Sequence, residues 1–289
     1  MCTVTSAKLN YMIDAYIQDN NIKNARKLFD ENPSSRNLVS WNMMMTGYVK
    51  HHQIQYAQYL FDQMPFKDTV SWNIMLSGFH RITNYDELYH CFLQMGRAGV
   101  APDDYTVSTL LRAVLSTELN VLIPQLHTRA LHLALNLSVF VGSSLIRAYA
   151  SLRDEEAFKR AFDDILVKDV TSWNALVSGY MEVGSLDDAQ TTFDMMMPER
   201  NIISWTTLVN GYIRNKRINK ARSIFNKMSE RNVVSWTAMI SGYVQNKRFM
   251  DALNLFLLMF NSGTRPNHFT FSSVLDACAG CSSLLTGMQ

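Results

Sequence analysis

Apolar and polar positions along this 289-residue chain follow a helical period that restarts every 31 to 35 residues. Trp41, Met45 and Tyr48 lie at the spacing of one helix face, and Ala57 and Phe61 form a second apolar pair four residues apart. The five tryptophans, Trp41, Trp72, Trp173, Trp205 and Trp236, are separated by 31, 101, 32 and 31 residues. Each is followed six residues later by a glycine (Gly47, Gly78, Gly179, Gly211, Gly242), and the next residue is always Tyr or Phe. A phenylalanine arrives thirteen residues after that aromatic, at Phe61, Phe92, Phe193, Phe225 and Phe256. Counting each unit from the third residue before its Trp divides the chain into repeats 6–37, 38–68, 69–103, 104–138, 139–169, 170–201, 202–232 and 233–267. A partial ninth, 268–289, follows.

Each repeat reads as two helices. Pro33, Pro65, Pro102, Pro198 and Pro266 fall in the last stretch of a unit, where they end the second helix. One hairpin of this size cannot bury its own apolar faces, so neighbours must stack into an all-α solenoid with an extended concave surface.

Composition narrows the chemistry. The chain is 47% hydrophobic and 18% charged, and 27 basic against 25 acidic residues leave a formal charge of +2, too little to capture polyanions by bulk charge. No apolar run reaches the length of a membrane span. Cys2, Cys91, Cys278 and Cys281 suggest a reducing compartment, and Met1 to Lys8 lack the Arg-rich amphipathic character of a transit peptide. Cys278-Ala-Gly-Cys281 offers two of the four ligands of a structural zinc and reads better as small packing residues. No His-x-Glu stands with a Pro-Cys-x-x-Cys, so no deaminase is visible; no catalytic residue, metal or cofactor is assigned. His51-His52 falls at an interhelix turn, and His127 and His132 are assigned surface or capping roles. Met64, Met95, Met196, Met228 and Met259 fill one packing slot.

Tetratricopeptide repeats share the Trp, Ala and Phe but need a small residue at the eighth position, where this chain carries Ile13, Met45, Leu76, Leu111, Ile146, Val177, Val209 and Ile240. Asn-Val-Val-Ser-Trp-Thr-Ala-Met-Ile-Ser-Gly-Tyr at 232–243 instead resembles the pentatricopeptide repeat proteins of plants, in the subclass that mixes long and short repeats. The openings of 104–138 and of the ninth unit are similar to that subclass's long repeat. The resemblance implies a right-handed superhelical solenoid that binds single-stranded RNA in a mitochondrion or chloroplast, one base per repeat. It also implies a role in transcript processing or in selecting sites for cytidine-to-uridine editing, with a deaminase or other RNA factors supplied in trans.

The residues themselves carry a case for base reading. The fifth positions are Asn10, Asn42, Asn73, Ser108, Ser143, Asn174, Thr206 and Thr237, small hydrogen-bonding side chains that are mediocre helix formers. The last positions are Asn37, Asp68, Asp103, Ser138, Asp169, Asn201, Asn232 and Asn267, which could equally be N-caps of the following helix. Second positions are mostly apolar: Val39, Val70, Tyr105, Phe140, Ile203, Val234 and Phe269, with Ala7 and Thr171 weaker. They lie three residues before the fifth, so an apolar contact for a base's face can sit beside a hydrogen bond for its edge. A core residue beneath the next repeat is the competing reading. Lys50, Arg81 and Arg214, at the thirteenth position, point to phosphate contacts or to cations at a helix C-terminus. Glu182 and Gln245 interrupt that row.

If the family's pairing rules carry over, Asn42 with Asp68 and Asn73 with Asp103 prefer uridine, and Ser143 with Asp169 prefers guanine. Asn174 with Asn201 then prefers a pyrimidine, and Thr206 with Asn232 and Thr237 with Asn267 prefer adenine. Asn10 with Asn37 would add a pyrimidine on the 5′ side, and Ser108 with Ser138 is left without a base. The rival function is a helical scaffold of tetratricopeptide-like type that binds peptides or proteins, which the near-neutral charge and broken cation row favour.

Overall fold

The computed structural model describes residues 5–117, 119–197 and 199–286, with side chains for all of these except 196 and 283–286. Among the described residues the chain is entirely helical outside its turns, and no helix is long and apolar enough to cross a membrane. Contacts gather it into two compact units, Met1–Leu119 and Asn120–Gln289, divided inside repeat 104–138.

The first unit holds α1 (Ser6–Gln18), α2 (Ile22–Glu31), α3 (Leu38–Lys50), α4 (Ile54–Gln63), α5 (Thr69–Arg81), α6 (Tyr85–Arg97) and α7 (Asp104–Leu115). The second holds α8 (Ile123–His132), α9 (Val139–Ser151), α10 (Glu155–Asp163), α11 (Val170–Val183), α12 (Leu186–Thr191), α13 (Ile202–Arg214), α14 (Ile218–Lys227), α15 (Val233–Gln245), α16 (Phe249–Asn261) and α17 (His268–Thr286). Within each unit, first helices pack on their own partners and on the next first helix, as in the series α1, α3, α5, α7 and the series α9, α11, α13, α15, α17. That is the stacking of hairpins the repeat pattern demands.

Three devices recur among the hairpins. The turn between its helices places the fifteenth residue in the left-handed region: Asn20, His52, Thr83, Arg153, Lys216 and Lys247 have φ between 56° and 61°, and Gly184 has 93°. The backbone then closes on itself, as where Gln53 N–H donates to Tyr48 O at 2.9 Å and His52 N–H to Val49 O at 3.2 Å, which satisfies the carbonyls at the helix end. Second, the tenth-position glycine admits the neighbouring helix. A Cβ on Gly242 would lie 2.6 Å from Ile213 Cδ1, so only glycine permits that approach. Third, where the next repeat carries a tryptophan, the phenylalanine of the preceding second helix meets it edge to face. The pairs Phe29–Trp41, Phe61–Trp72, Phe162–Trp173, Phe193–Trp205 and Phe225–Trp236 have centroids 4.7 to 5.0 Å apart.

Some sequence expectations change. Met64, Met95, Met228 and Met259 are buried in one slot as expected, but in repeat 170–201 the buried residue is Met197. That repeat carries one residue more than its 31-residue neighbours, and residues Thr192–Met196 absorb it as a single π-helical turn that advances the slot by one. The side chain of Met196, like Pro198 and Cys2, lies outside the described residues. His127 is not a surface group: it is half-buried and hydrogen-bonded to Tyr149 Oη at 2.8 Å, and burial lowers its pKa. Cys278 is exposed rather than packed, and Cys281 lies 3.7 Å from Met250 Sδ.

Candidate nucleic-acid interface

The last residue of every repeat is the N-cap of the next first helix. Asn37, Asp68, Asp103, Asp169, Asn201 and Asn232 accept the backbone N–H three residues on at 2.8 to 3.0 Å, and Asn267 accepts from Thr270 N–H at 2.9 Å. Ser138 does the same for Val141 at 3.2 Å. The capping alternative is therefore real, but it occupies only one oxygen. A capping Asp keeps its second carboxylate oxygen, an acceptor, whereas a capping Asn keeps Nδ2, a donor.

These caps stand beside fifth-position side chains. Asn73 Nδ2 donates to both oxygens of Asp103 at 2.9 and 3.0 Å, Asn42 Nδ2 to Asp68 at 3.4 Å, and Asn10 Nδ2 to Asn37 Oδ1 at 3.3 Å. Residues 26 to 30 apart in sequence thus form one polar pair. In the later repeats the two members do not bond directly. Thr206 Oγ1 donates back to Ile202 O at 2.6 Å, and Thr237 Oγ1 meets Thr270 Oγ1 at 2.7 Å. Burial works to raise the pKa of Asp103, but bonds from Thr106 N–H, Asn73 and the Thr106 hydroxyl outweigh it and hold the carboxyl below its usual range.

The second positions lie on the surface. Val39 and Val70 are each 53% exposed, Phe140 52%, Ile203 65% and Val234 56%, so the reading of a core residue beneath the next repeat fails at each. In the first unit they wall two successive clefts. A cleft of about 380 Å³ sits between Val39 and Val70, with Asn42, Asp68 and Lys50 around it. The next, about 410 Å³, lies between Val70 and Tyr105 with Asn73, Lys50 and Arg81. Consecutive clefts share Val70 and Lys50, so the repeat of the chain becomes a repeat of sites.

Lys50, Arg81 and Arg214 are exposed. Arg214 Nη1 is 3.2 Å from Glu182 Oε2, so the acid that interrupts the cation row also pairs the cation that follows it. Among the described residues no group of three or more His, Cys, Asp or Glu could hold a metal ion.

A further set of residues escaped the sequence reading although its signal was present: the cation just before the last residue of every short repeat. Arg36 donates to Phe29 O and Asp30 O at 2.8 and 3.0 Å, Arg200 to Phe193 O and Asp194 O, and Arg231 to Phe225 O and Asn226 O at 3.1 and 2.8 Å. Each guanidinium also lies 4.3 to 5.3 Å from the centroid of the phenylalanine that meets the next tryptophan. Lys67 and Lys168 do the same with one ammonium, bonding Met64 O at 3.2 Å and Ile165 O at 3.0 Å over Phe61 and Phe162. These cations close the C-terminus of the second helix one residue before the capping side chain.

A helical-hairpin array whose repeat junctions carry paired polar side chains defines a modular helical-repeat protein. The PPR repeat family profile matches residues 67–116, 200–234 and 231–280, and the PPR repeat profile matches 9–31, 39–68 and 171–197. The chain belongs to the pentatricopeptide repeat family. It is 29% identical over 315 aligned residues to a pentatricopeptide repeat-containing protein of Arabidopsis thaliana named as mitochondrial, covering 96% of this chain and 44% of that protein. A putative pentatricopeptide repeat-containing protein of the same plant is 27% identical over 255 residues, 75% of this chain and 36% of the relative. The chain thus spans less than half the length of these relatives. Its fold matches the crystal structure of the pentatricopeptide repeat protein PPR10 in complex with an 18-nt psaJ RNA element, with a TM-score of 0.72 at 18% identity over 96% of this chain and 43% of that one.

Proposed function

We propose that the chain binds single-stranded RNA, one base per repeat, with repeat 104–138 left unassigned. The observation that carries this reading is the cleft in which Asn42 and Asp68 meet between the exposed side chains of Val39 and Val70. An apolar wall on either side suits the faces of a base, and the polar pair suits its edge. The relative PPR10 has been solved with RNA, and that supports the same ligand class here.

The caps supply the logic of base choice. With one oxygen committed to the helix, Asp68, Asp103 and Asp169 offer an acceptor, which suits the ring N–H of uridine or guanine. Asn201, Asn232 and Asn267 offer the Nδ2 donor, which suits the bare ring nitrogen of cytidine or adenine. The longer Asn at the fifth position leaves room for a pyrimidine, and the shorter Ser143, Thr206 and Thr237 for a purine. From residue 38 onward the site reads uridine, uridine, an unassigned position, guanine, a pyrimidine, adenine, adenine. Val39, Val70, Phe140, Ile203 and Val234 pack the base faces, and Lys50 and Arg81 take phosphates. Arg214 joins them once RNA displaces Glu182.

Relatives named as mitochondrial and chloroplastic support an organellar setting, and the family resemblance supports processing or editing-site selection with a deaminase in trans. The test is selection of purified chain against a randomised single-stranded RNA pool at moderate salt. The reading expects enrichment with uridines 5′ and adenines 3′, and affinity that falls with salt. No enrichment over a protein-free control would refute it and favour a peptide-binding scaffold.

A further inference from the structure

The third residue of each repeat is a serine or threonine in all complete units that follow another except 139–169, where it is Val141. Ser40, Ser71, Thr106, Ser172, Ser204 and Ser235 are all fully buried at the third position of the first helix. Each accounts in part for the cap, because its own N–H is the one the last-position side chain accepts. The hydroxyl proton is the remaining degree of freedom, and it has two destinations.

In one arrangement it reaches back to the fifth residue of the preceding repeat. Ser40 Oγ donates to Asn10 Oδ1 at 2.6 Å and Thr106 Oγ1 to Asn73 Oδ1 at 2.6 Å, while the cap N–H groups of Asn37 and Asp103 donate to those same hydroxyls at 3.1 Å. Ser40 Oγ and Thr106 Oγ1 also lie 2.9 and 2.8 Å from Oδ1 of their own caps, so they bridge cap and fifth residue. In the other arrangement the hydroxyl meets its own cap residue alone: Ser71 to Asp68 O at 2.8 Å, Ser172 to Asp169 O at 2.8 Å, Ser204 to Asn201 Oδ1 at 3.1 Å and Ser235 to Asn232 O at 2.9 Å. The fifth-position atoms of the repeats before the first three of these, Asn42 Oδ1, Ser143 Oγ and Asn174 Oδ1, are buried with no hydrogen-bond partner, whereas Thr206, before Ser235, bonds its own helix at Ile202 O. Fifth-position asparagine oxygens are thus partnered where the hydroxyl reaches them and orphaned where it meets only its cap.

We propose that the third-position hydroxyl is a positioning residue for base choice, locking the orientation of the fifth-position side chain of the preceding repeat. This rests on the RNA reading above. A donor on Asn73 Oδ1 leaves the Asn73 amide group as the only face it can turn to Asp103 and to a base. Remove the hydroxyl, and Asn73 loses the bond that distinguishes its oxygen from its nitrogen on the buried side.

The experiment is pool selection with the full chain and with Thr106→Val, Thr106→Ser and Ser40→Ala, each first checked for helicity. Thr106→Val should lower uridine preference about tenfold at the nucleotide opposite repeat 69–103, the worth of one buried hydrogen bond, and leave the other nucleotides unchanged. Thr106→Ser should restore it. Ser40→Ala should relax only the nucleotide opposite repeat 6–37, so the proposal remains testable if Thr106→Val does not fold. A uniform loss of affinity with every preference intact would reduce the hydroxyl to a helix cap and overturn the proposal. Wild-type chain that selects nothing would overturn the RNA reading and the proposal with it, whereas wild-type selection with unchanged variants would overturn the proposal alone.

Discussion

Arg231 offers the sharpest test of how the repeat junction is held. Its guanidinium makes two hydrogen bonds to carbonyls at the end of α14, at 3.1 and 2.8 Å, and lies 5.0 Å from the Phe225 centroid and 5.9 Å from Trp236. Because Arg231 is partly exposed, its two bonds together are worth about 1.5 kcal/mol, below the value for buried charge-assisted bonds, and a partly exposed cation over a ring adds about 0.5 kcal/mol. Replacing Arg231 with Met keeps much of the aliphatic packing and removes both effects, so the junction should lose about 2 kcal/mol. Arg231→Lys should lose about half of that or less, because an ammonium keeps the ring with one carbonyl at Lys67 and with two at Lys168. Repeat arrays unfold in pieces, so native-state hydrogen exchange is the suitable assay. Arg231→Met should speed exchange about 30-fold at the α14–α15 junction and leave α5 and α6 unaffected. Acceleration under about threefold, or acceleration spread evenly over both units, would refute the clamp.

Three further outcomes follow from the same geometry. Thr83, β-branched and held at φ 56°, should gain about 0.5–1 kcal/mol on Thr83→Gly, seen as a higher melting temperature; a loss would mean its side chain supports the turn. The carboxyl of Asp103 is held below its usual range, so its ionised form contributes stability above the unfolded-state value near pH ~4, and that contribution disappears as pH falls through the lower folded value. Asp103→Asn preserves the cap, so wild type should exceed the variant in melting temperature at pH ~7 and converge on it near pH ~2; a pH-independent gap would contradict the assignment. Thr237→Asn should move one nucleotide from adenine toward a pyrimidine in pool selection, and an unchanged profile would break the register.

Much of the architecture was legible because packing forces it into the pattern. The Trp, Gly and Phe slots recur since each tryptophan meets the preceding repeat's phenylalanine and, at four of the five tenth-position glycines, a Cβ would crowd the neighbouring helix. Unit length also carried information, but not its local outcome: the extra residue of 170–201 became a π turn that moved the packing slot to Met197. Sequence placed the polar fifth and last residues in one register and offered capping for the last, whereas their mutual bonds were beyond it because they depend on side-chain rotamers. The same holds for the third-position hydroxyls, whose sequence is uniform while their hydrogen bonds differ from repeat to repeat. The pairing of Glu182 with Arg214 was within reach, since both occupy the thirteenth slot of adjacent repeats. Arg36, Lys67, Lys168, Arg200 and Arg231 were equally visible as a column, and went unread because a lone cation in a link has no apparent task until the carbonyls and ring beside it are seen.

The central claim is that the last residue caps its helix with one atom and reads a base with the other, and Asn232→Asp tests it most directly. Aspartate caps as asparagine does, so fold and stability should hold, while the free Nδ2 donor becomes a carboxylate acceptor. Binding measured against four RNAs that differ only at the nucleotide opposite repeat 202–232 should change its preference from adenine to guanine, with neighbouring positions unaffected. Retained adenine preference, or equal weakening for all four RNAs, would contradict the account.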